Sequence, residues 1–166
     1  MTRAFITYVR PTLEYASTIW SPSRITQIIF IEGVQRSFTK RLPGLTNLSY
    51  PERIKILKLQ SLEHRRLLLD LVQTVKIIHN LSSLKFADFF SFLTYYNSTR
   101  GHSHRLAVPI FKSDVRKHSF ACRVVPVGNS LPNEIITAKS LFNFKAQIRQ
   151  IDLGKFLILP TFIDAK

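Results

Sequence analysis

The sequence predicts a mainly α-helical protein, a small helical bundle followed by a loop-rich and partly irregular C-terminal extension. Three observations support this prediction. The chain has 166 residues, of which 45% are hydrophobic, so it is long enough to bury one core. Apolar residues recur at three- and four-residue steps in successive segments, which is the spacing of one face of an α-helix. After Asn80 this pattern weakens: Ser82 to Thr99 show no sustained period, and prolines and basic residues interrupt Arg100 to Lys117.

The first predicted helix runs from Thr2 to Trp20. Its expected apolar face consists of Phe5, Tyr8, Val9, Leu13, Ala16, Ile19 and Trp20. Pro11 should kink this helix or split it in two, because proline lacks an N–H group and its ring clashes with the preceding turn. The segment ends before Pro22, since the residue before a proline disfavours the helical conformation.

A second helix is predicted from Arg24 to Leu42, with Ser23 as its N-cap. The residues expected to face inward are Ile25, Ile28, Ile29, Val34 and Phe38. The last turns carry three cations, which are Arg36, Lys40 and Arg41. Cations at this end of a helix complement its dipole, and they are equally suited to contact phosphates. The sequence leaves both interpretations open.

Two further helices are predicted in the first half of the chain. Ser49-Tyr50-Pro51-Glu52 begins a short helix through Lys58, because a proline at the first helical position and an acid in the first turn are start signals. Leu62 to Leu81 has the most regular apolar stripe, so Leu71 and Val75 are expected in the core. Arg66 lies four residues before Asp70 on the same helix, which is the spacing of an ion pair.

The predicted domains are a helical domain over residues 1–81, an aromatic-rich connector over 82–98 and a basic C-terminal extension over 99–166. The connector should hold one short helix around Phe86 to Phe92. Aromatic residues there either stack on bases or belong to the core, and the core is the more common role. The extension should hold a helix over Val115 to Val125, a turn-rich segment at Pro126, Gly128 and Pro132, and a last helix over Ser140 to Ile151.

The sequence shows no motif for catalysis. Acid–base and metal-assisted phosphoryl chemistry need converging carboxylates, and none of the ten Asp and Glu residues has another acid within six positions. No glycine-rich phosphate loop and no nucleophile elbow occurs. We therefore predict no catalytic residue, no metal site and no cofactor in this chain.

Two alternative sites involve histidine and cysteine. His102, His104, His118 and Cys122 could supply four zinc ligands, although a zinc knuckle usually contains a C-x₂₋₄-C element and this chain has one cysteine. Cys122 and His118 could also form a nucleophile pair, although a lone buried cysteine usually behaves as a small apolar residue. No membrane partner is predicted, because the apolar stretch Phe156 to Ile163 is far shorter than the about 20 residues that cross a bilayer.

The strongest functional signal is the charge. Twenty-four Lys and Arg residues against ten Asp and Glu give a net charge of +14. In a compact state these positive side chains repel one another unless a polyanion neutralises them. An RNA or DNA backbone is therefore the expected partner. The residues predicted to contact that backbone are Arg36, Lys40, Arg41, Arg65, Arg66 and Arg100.

A succession of short motifs in fixed order carries a family resemblance. The motifs are Val9-Arg10-Pro11, Leu13-Glu14-Tyr15, Trp20-Ser21-Pro22, Val34-Gln35-Arg36 with Lys40, Leu42-Pro43-Gly44, Leu48-Ser49-Tyr50 with Glu52-Arg53, Leu62-Glu63 with Arg65-Arg66, Thr99-Arg100-Gly101-His102, Arg123-Val124-Val125 and Asn129-Ser130-Leu131-Pro132. Over residues 6 to 150 this succession resembles the region downstream of the polymerase core in LINE-type (non-LTR, jockey-like) retrotransposon reverse transcriptases. It departs from the family at Gly128, where a tryptophan usually precedes Asn-x-Leu-Pro.

The resemblance implies a fragment of an RNA-directed DNA polymerase. Positions 6 to 80 resemble the helical thumb that grips the template–primer duplex, so the domain over residues 1–81 is expected to be thumb-like. In that family the active site lies upstream, in a palm whose [FY]-A-D-D aspartates hold Mg²⁺, and this chain has no such motif. The missing palm would then be a partner, and the family implies an intracellular location in the nucleus or the cytoplasm.

Two other interpretations of the chain stay open beside the fragment. One is a remnant open reading frame whose product has no selected function. The other is an unrelated small basic protein that binds nucleic acid.

Overall fold

The structure, a computed structural model, describes residues 1–93, 104–138 and 140–159. In order, the α-helices are α1 (Thr2–Ala4), α2 (Arg10–Glu14), α3 (Ile25–Lys40), α4 (Tyr50–Ile56), α5 (Leu62–Ile78), α6 (Phe86–Phe89), α7 (Asp114–Lys117), α8 (Phe120–Ser130), α9 (Asn133–Ile136) and α10 (Leu141–Ile148). A π-helix, Phe5–Val9, joins α1 to α2, and a 3₁₀ turn, Gly154–Phe156, follows α10. Within the described ranges the one β feature is an isolated antiparallel bridge between Phe92 and Leu106. The predicted mainly α-helical fold class is confirmed.

The described chain divides into two compact units. The first comprises residues 1–17, 21–66 and 153–159, and the second comprises residues 18–20, 67–93, 104–138 and 140–152. Helix α5 begins in the first unit and continues in the second. The domains predicted over 1–81, 82–98 and 99–166 stay a prediction, because compactness does not show which segments fold on their own.

The N-terminal helix of the first unit is shorter than predicted. It ends at Glu14, and Ala16 has a φ of +51°, in the left-handed region that does not continue a helix. Arg65 binds the Glu14 carboxylate, and Arg66 donates a hydrogen bond to the carbonyl oxygen of Leu13. That carbonyl is one of the acceptors that a helix end leaves open, so the two arginines stabilise this end.

The apolar face predicted for this helix was only partly right. Phe5 is buried and stacks on Phe38, with 4.3 Å between the ring centroids. The predicted inward residues that are instead exposed are Tyr8, Val9, Ile19 and Trp20. The predicted interruption at Pro11 takes the form of the π-helix before it. Because a π turn is wider than an α turn and the helix ends early, the 3.6-residue spacing does not extend across the segment.

Helix α3 buries a polar face. Its buried residues are Ile28, Glu32, Gln35 and Thr39. The prediction that Ile25, Ile29 and Val34 face inward was wrong, since all three are exposed, and Arg24 rather than Ser23 is the N-cap. The prediction assumed that burial follows hydrophobicity. Here hydrogen bonds among the buried polar groups offset the cost of removing them from water.

The second unit has an apolar core. Its fully buried side chains include Ile77, Val124, Val125, Phe144 and Ile148. Leu71 and Val75 of α5 are 1% and 7% exposed, which confirms their predicted place in the core. Helix α5 ends at Ile78, and Asn80 follows in the left-handed conformation with a φ of +55°, which is a common way to end a helix.

The helix predicted over residues 115–125 is replaced by two helices. Helix α7 ends before His118, Ser119 is the N-cap of α8, and α8 continues to Ser130. The prediction that Pro126 begins a turn-rich segment was wrong. Pro126 lies on the exposed side of α8, where it removes one helical hydrogen bond while the valines on both sides of it stay buried.

The remaining helices form close to their predicted places. Helix α4 covers most of the range predicted for it, α6 ends at Phe89, and α10 begins after Ser140, whose hydroxyl accepts a hydrogen bond from the Asn143 N–H group at 3.1 Å. Phe144 and Ile148 of α10 are buried as its spacing predicts. Among the residues described, no helix combines the length and the apolar character that a membrane span needs.

Candidate nucleic-acid interface

A cationic pocket lies between α3 and the beginning of α4 in the first unit. Its volume is about 420 Å³. The residues that line it are Arg36, Lys40, Thr46, Leu48, Ser49, Tyr50, Pro51 and Arg53. Arg36, Lys40 and Arg53 carry a positive charge, and none of the residues that line the pocket is Asp or Glu. We refer to this site as the Arg36 pocket.

The sequence places the three cations at one site through the two helices. Arg36 and Lys40 are four residues apart on α3, which puts them on the same face. The start of α4 is fixed by a capping box, in which the Glu52 carboxylate accepts hydrogen bonds from the Ser49 N–H group at 2.7 Å and from the Ser49 hydroxyl at 2.6 Å. Arg53 follows within the first turns of α4 and so reaches the pocket.

The Tyr50 ring contacts the guanidinium groups of both arginines. The Cζ atom of Arg36 is 5.2 Å from the centre of the Tyr50 ring, and the Cζ atom of Arg53 is 5.7 Å from it. Both distances fall in the range of cation–π attraction, which is stronger where water is excluded. Tyr50 itself is buried, so the ring gives the two guanidinium groups a fixed surface.

Hydrogen bonds behind the pocket hold the Tyr50 ring in place. Its hydroxyl donates to Glu32 Oε1 and accepts from Gln35 Nε2 at 2.9 Å. Glu32 Oε2 accepts from the Leu62 N–H group at 2.8 Å, and Gln35 Nε2 also donates to the Gln60 carbonyl at 3.0 Å. These contacts join α3, α4 and the start of α5 below the pocket.

Burial acts on the two titratable groups of this network. Removal from water raises the pKa of Glu32, and the hydrogen bond from Tyr50 partly opposes that effect. Burial and the nearby Glu32 charge raise the pKa of the Tyr50 hydroxyl well above its ordinary value. Tyr50 therefore stays protonated and keeps donating to Glu32 over the physiological range of pH.

Arg53 is the most confined cation of the pocket. The residue is only 4% exposed, and its Nε has no hydrogen-bond acceptor in the part of the chain that the structure describes. A buried donor without an acceptor costs about 1 to 3 kcal/mol, and more when the group is charged. An anion in the Arg36 pocket would supply charge and acceptors together.

The structure brings together two of the residues predicted to contact a nucleic-acid backbone. Arg36 and Lys40 share the pocket. Arg41 lines a separate groove of mainly apolar residues, beside Phe5 and Phe30. Arg100 lies outside the described residues.

The other two predicted contacts have partners within the first unit. Arg65 forms a two-pronged ion pair with Glu14, in which Nη2 is 2.9 Å from Oε2. Arg66 is buried and donates to the Leu13 carbonyl oxygen. Both guanidinium groups thus take part in internal contacts, and we base the interface on the Arg36 pocket.

Arg53 was not among the predicted contacts. A usable signal was present, because Ser49 and Glu52 have the spacing of a capping box. That spacing fixes where α4 begins and hence that Tyr50 and Arg53, three positions apart, share a face. What the sequence did not show is that this face lies against Arg36.

The alternative sites considered from sequence have other surroundings. Phe89 and Phe90 make edge contacts with the Phe120 ring, and Phe90 is buried, so these aromatic residues belong to the packing of the second unit. His118 lies 3.5 Å from Asp114, and Cys122 is buried. Within the described ranges no group of three or more His, Cys, Asp and Glu side chains is placed to hold a metal ion.

The Arg36 pocket thus brings three cations together on a strongly basic chain. No family model, no curated protein and no solved structure matches this chain.

Proposed function

We propose that this protein is a non-catalytic module that binds the backbone of RNA or DNA, with Arg36, Lys40 and Arg53 as phosphate contacts. The observation that carries the proposal is the convergence of three cations on one pocket that no acidic residue lines. Backbone phosphates are the polyanion that such a surface suits, and the net charge of +14 adds a long-range attraction for it.

The chemistry proposed for the pocket is recognition of phosphate oxygens. Guanidinium groups present fixed pairs of N–H donors that match two phosphate oxygens, whereas the Lys40 ammonium acts as a mobile point charge. Contacts of this kind carry no base information, so binding should be nearly independent of sequence. The proposal assigns no chemical step to this chain.

The resemblance to the thumb and post-polymerase region of LINE-type reverse transcriptases supports the same proposal. A thumb grips the template–primer duplex through its backbone, and Arg36, Lys40 and Arg53 belong to the motifs that carry the resemblance. On this proposal the catalytic palm and its Mg²⁺ are supplied from outside the present sequence. The chain alone should then show no primer extension.

The test is a salt titration of duplex binding. Each phosphate contact releases condensed counterions, so log K should fall linearly with log salt concentration. Replacing Arg36 and Lys40 together by Ala should reduce the steepness of that dependence by about two. A duplex of unrelated sequence should give the same result.

A matched control separates local contacts from net charge. Arg116 and Lys117 are exposed residues of α7, outside the pocket, and the Arg116→Ala, Lys117→Ala variant loses the same charge. The control should keep the parental salt dependence. Equal reductions in both variants would contradict the proposal, since they would mean that only the net charge matters.

A further inference from the structure

We infer that the Arg36 pocket takes a phosphate monoester at the end of a nucleic-acid strand, in preference to the phosphodiesters within it. The inference rests on the proposed function and narrows it to one kind of phosphate.

The shape of the pocket favours a strand end. The pocket is a partly open concavity of about 420 Å³, and two of the residues that line it, Tyr50 and Arg53, are themselves buried. An internal phosphodiester carries a sugar on both sides and offers two free oxygens. A terminal monoester has one substituent and three free oxygens, so more of its surface can face the cations that line the pocket.

The charge of the pocket also favours a monoester. Three cations line the pocket, and no acidic residue does. The carboxylates of Glu32 and Glu52 are hydrogen-bonded to the lining residues Tyr50 and Ser49, and they reduce this positive excess without lining the pocket themselves. A phosphodiester brings one negative charge, whereas a monoester brings about 1.5 to 2 at pH 7. The monoester therefore offsets more of the charge that is concentrated there.

The donors of the pocket match a monoester as well. Arg53 Nε is buried and has no acceptor among the described residues, and the guanidinium groups of Arg53 and Arg36 both lie over the Tyr50 ring. The Arg53 guanidinium and the Lys40 ammonium can together donate to three phosphate oxygens, whereas a phosphodiester offers only two. Three monoester oxygens match this set better.

The experiment uses the full chain and one single-stranded oligonucleotide in three forms: a 5′-phosphate, a 3′-phosphate, and hydroxyl groups at both ends. Dissociation constants are measured at about 150 mM salt by fluorescence anisotropy, with an internal label. A terminal phosphate at one of the two ends should tighten binding by about tenfold, which is the size of one charge-assisted hydrogen bond. Equal affinity for all three forms would overturn the inference.

Two variants assign the preference to the pocket. Arg53→Lys keeps the charge and removes the planar fork of donors, and it should abolish most of the preference. Because Arg53 is buried, an unfolded variant would show itself by circular dichroism. Lys40→Gln, at an exposed position, gives an independent test: it should weaken the preference severalfold, whereas Lys112→Gln, an exposed control, should not change it. A preference unchanged in Lys40→Gln would overturn the assignment to this pocket.

Competition by adenosine 5′-monophosphate distinguishes a strand end from a free nucleotide. The mononucleotide should compete at least tenfold less well than the phosphorylated strand, and equal competition would overturn the assignment to a strand end. A different result would contradict the proposed function. In that case the Arg36→Ala, Lys40→Ala variant would bind the hydroxyl-ended strand with the same salt dependence as the parent protein.

Discussion

Asn129 holds the backbone of Leu106 with both ends of its side-chain amide. Its Nδ2 donates to the Leu106 carbonyl at 2.8 Å, and its Oδ1 accepts from the Leu106 N–H group at 2.9 Å. The residues flanking Leu106 pair with another segment: the Ala107 N–H group donates to the Ser91 carbonyl at 2.8 Å. Asn129 thus acts as a one-residue strand partner for Leu106, which also forms the antiparallel bridge with Phe92.

Asn129→Ala should therefore destabilise the protein by about 1 to 3 kcal/mol, because it leaves a backbone donor and acceptor of buried Leu106 without partners. Urea denaturation followed by circular dichroism measures the loss. Asn47→Ala, at an exposed turn position, is the control and should change stability by less than about 0.5 kcal/mol. Similar losses in both variants would show that the Asn129 contacts contribute nothing specific.

Asp70 and Arg123 form an ion pair in the second unit that supports a second prediction. Arg123 Nε is 2.7 Å from Asp70 Oδ2, its Nη2 is 3.1 Å from Oδ1, and Nη2 also donates to the Thr18 carbonyl at 2.8 Å. Asp70 is almost fully buried. Asp70→Asn should cost about 3 to 5 kcal/mol, because it leaves the guanidinium charge uncompensated.

The matched control for this variant is Asp114→Asn. The Asp114 carboxylate lies 3.5 Å from the His118 ring but is mostly exposed, so water screens this contact and it should contribute less than about 0.5 kcal/mol. Both substitutions remove one carboxylate charge. Thermal or urea denaturation of the two variants side by side should thus separate a buried pair from an exposed one.

Glu32 should make stability fall as the pH rises above the acid range. Burial raises its pKa in the folded state, so the folded protein binds the proton more tightly than the unfolded chain does. This contribution is fully present below the unfolded pKa of about 4.3 and is lost as the pH rises through the higher folded value. Glu32→Gln should flatten this part of the curve of unfolding free energy against pH.

Glu52 should have the opposite effect on the same curve. Its hydrogen bonds with the Ser49 hydroxyl and N–H group lower its pKa, so its contribution is present above the unfolded pKa and is lost as the pH falls through the lowered value. Glu52→Gln should therefore make the unfolding free energy fall less steeply as the pH is lowered. A Glu32→Gln curve that runs parallel to the parental one would contradict the prediction for Glu32.

Two glycines should respond to alanine in opposite directions. Gly33 lies inside α3, and a Cβ atom there would have nothing within 4 Å, so Gly33→Ala should stabilise the protein by about 0.5 to 1 kcal/mol. Gly44 has a φ of +78°, which L-residues avoid, so Gly44→Ala should destabilise it. Differential scanning calorimetry gives both signs, and a destabilised Gly33→Ala would contradict the account of α3.

The sequence predicted the helices better than their buried faces. Periodicity located α3, α5 and α10, and it placed Leu71 and Val75 correctly because these residues are apolar and buried. It failed on α3, where Glu32 and Gln35 are buried by virtue of hydrogen-bond partners about 15 to 30 residues away in sequence. Periodicity holds no information about partners so distant.

The candidate site, too, was predicted only in part from the sequence. The charge of the chain and the spacing of Arg36 and Lys40 were readable, and both line the pocket. Arg53 was missed, because its role depends on the ring of Tyr50 and on the approach of α4 to α3. Arg65 and Arg66 looked equivalent to Arg36 in sequence, yet their contacts with Glu14 and Leu13 come from the fold.

The polar network of Glu32, Gln35 and Tyr50 makes the α3–α4 packing unusually selective about sequence. An apolar core tolerates many substitutions that keep its volume. Here a replacement must also present a donor or an acceptor at the right place, since each partner otherwise stays buried and unpaired. Random replacement of Val124, Val125 and Phe144 by other apolar residues should yield many folded chains, whereas randomising Glu32, Gln35 and Tyr50 should yield few. The network that supports the Arg36 pocket should therefore tolerate fewer substitutions during evolution than the apolar core of the second unit.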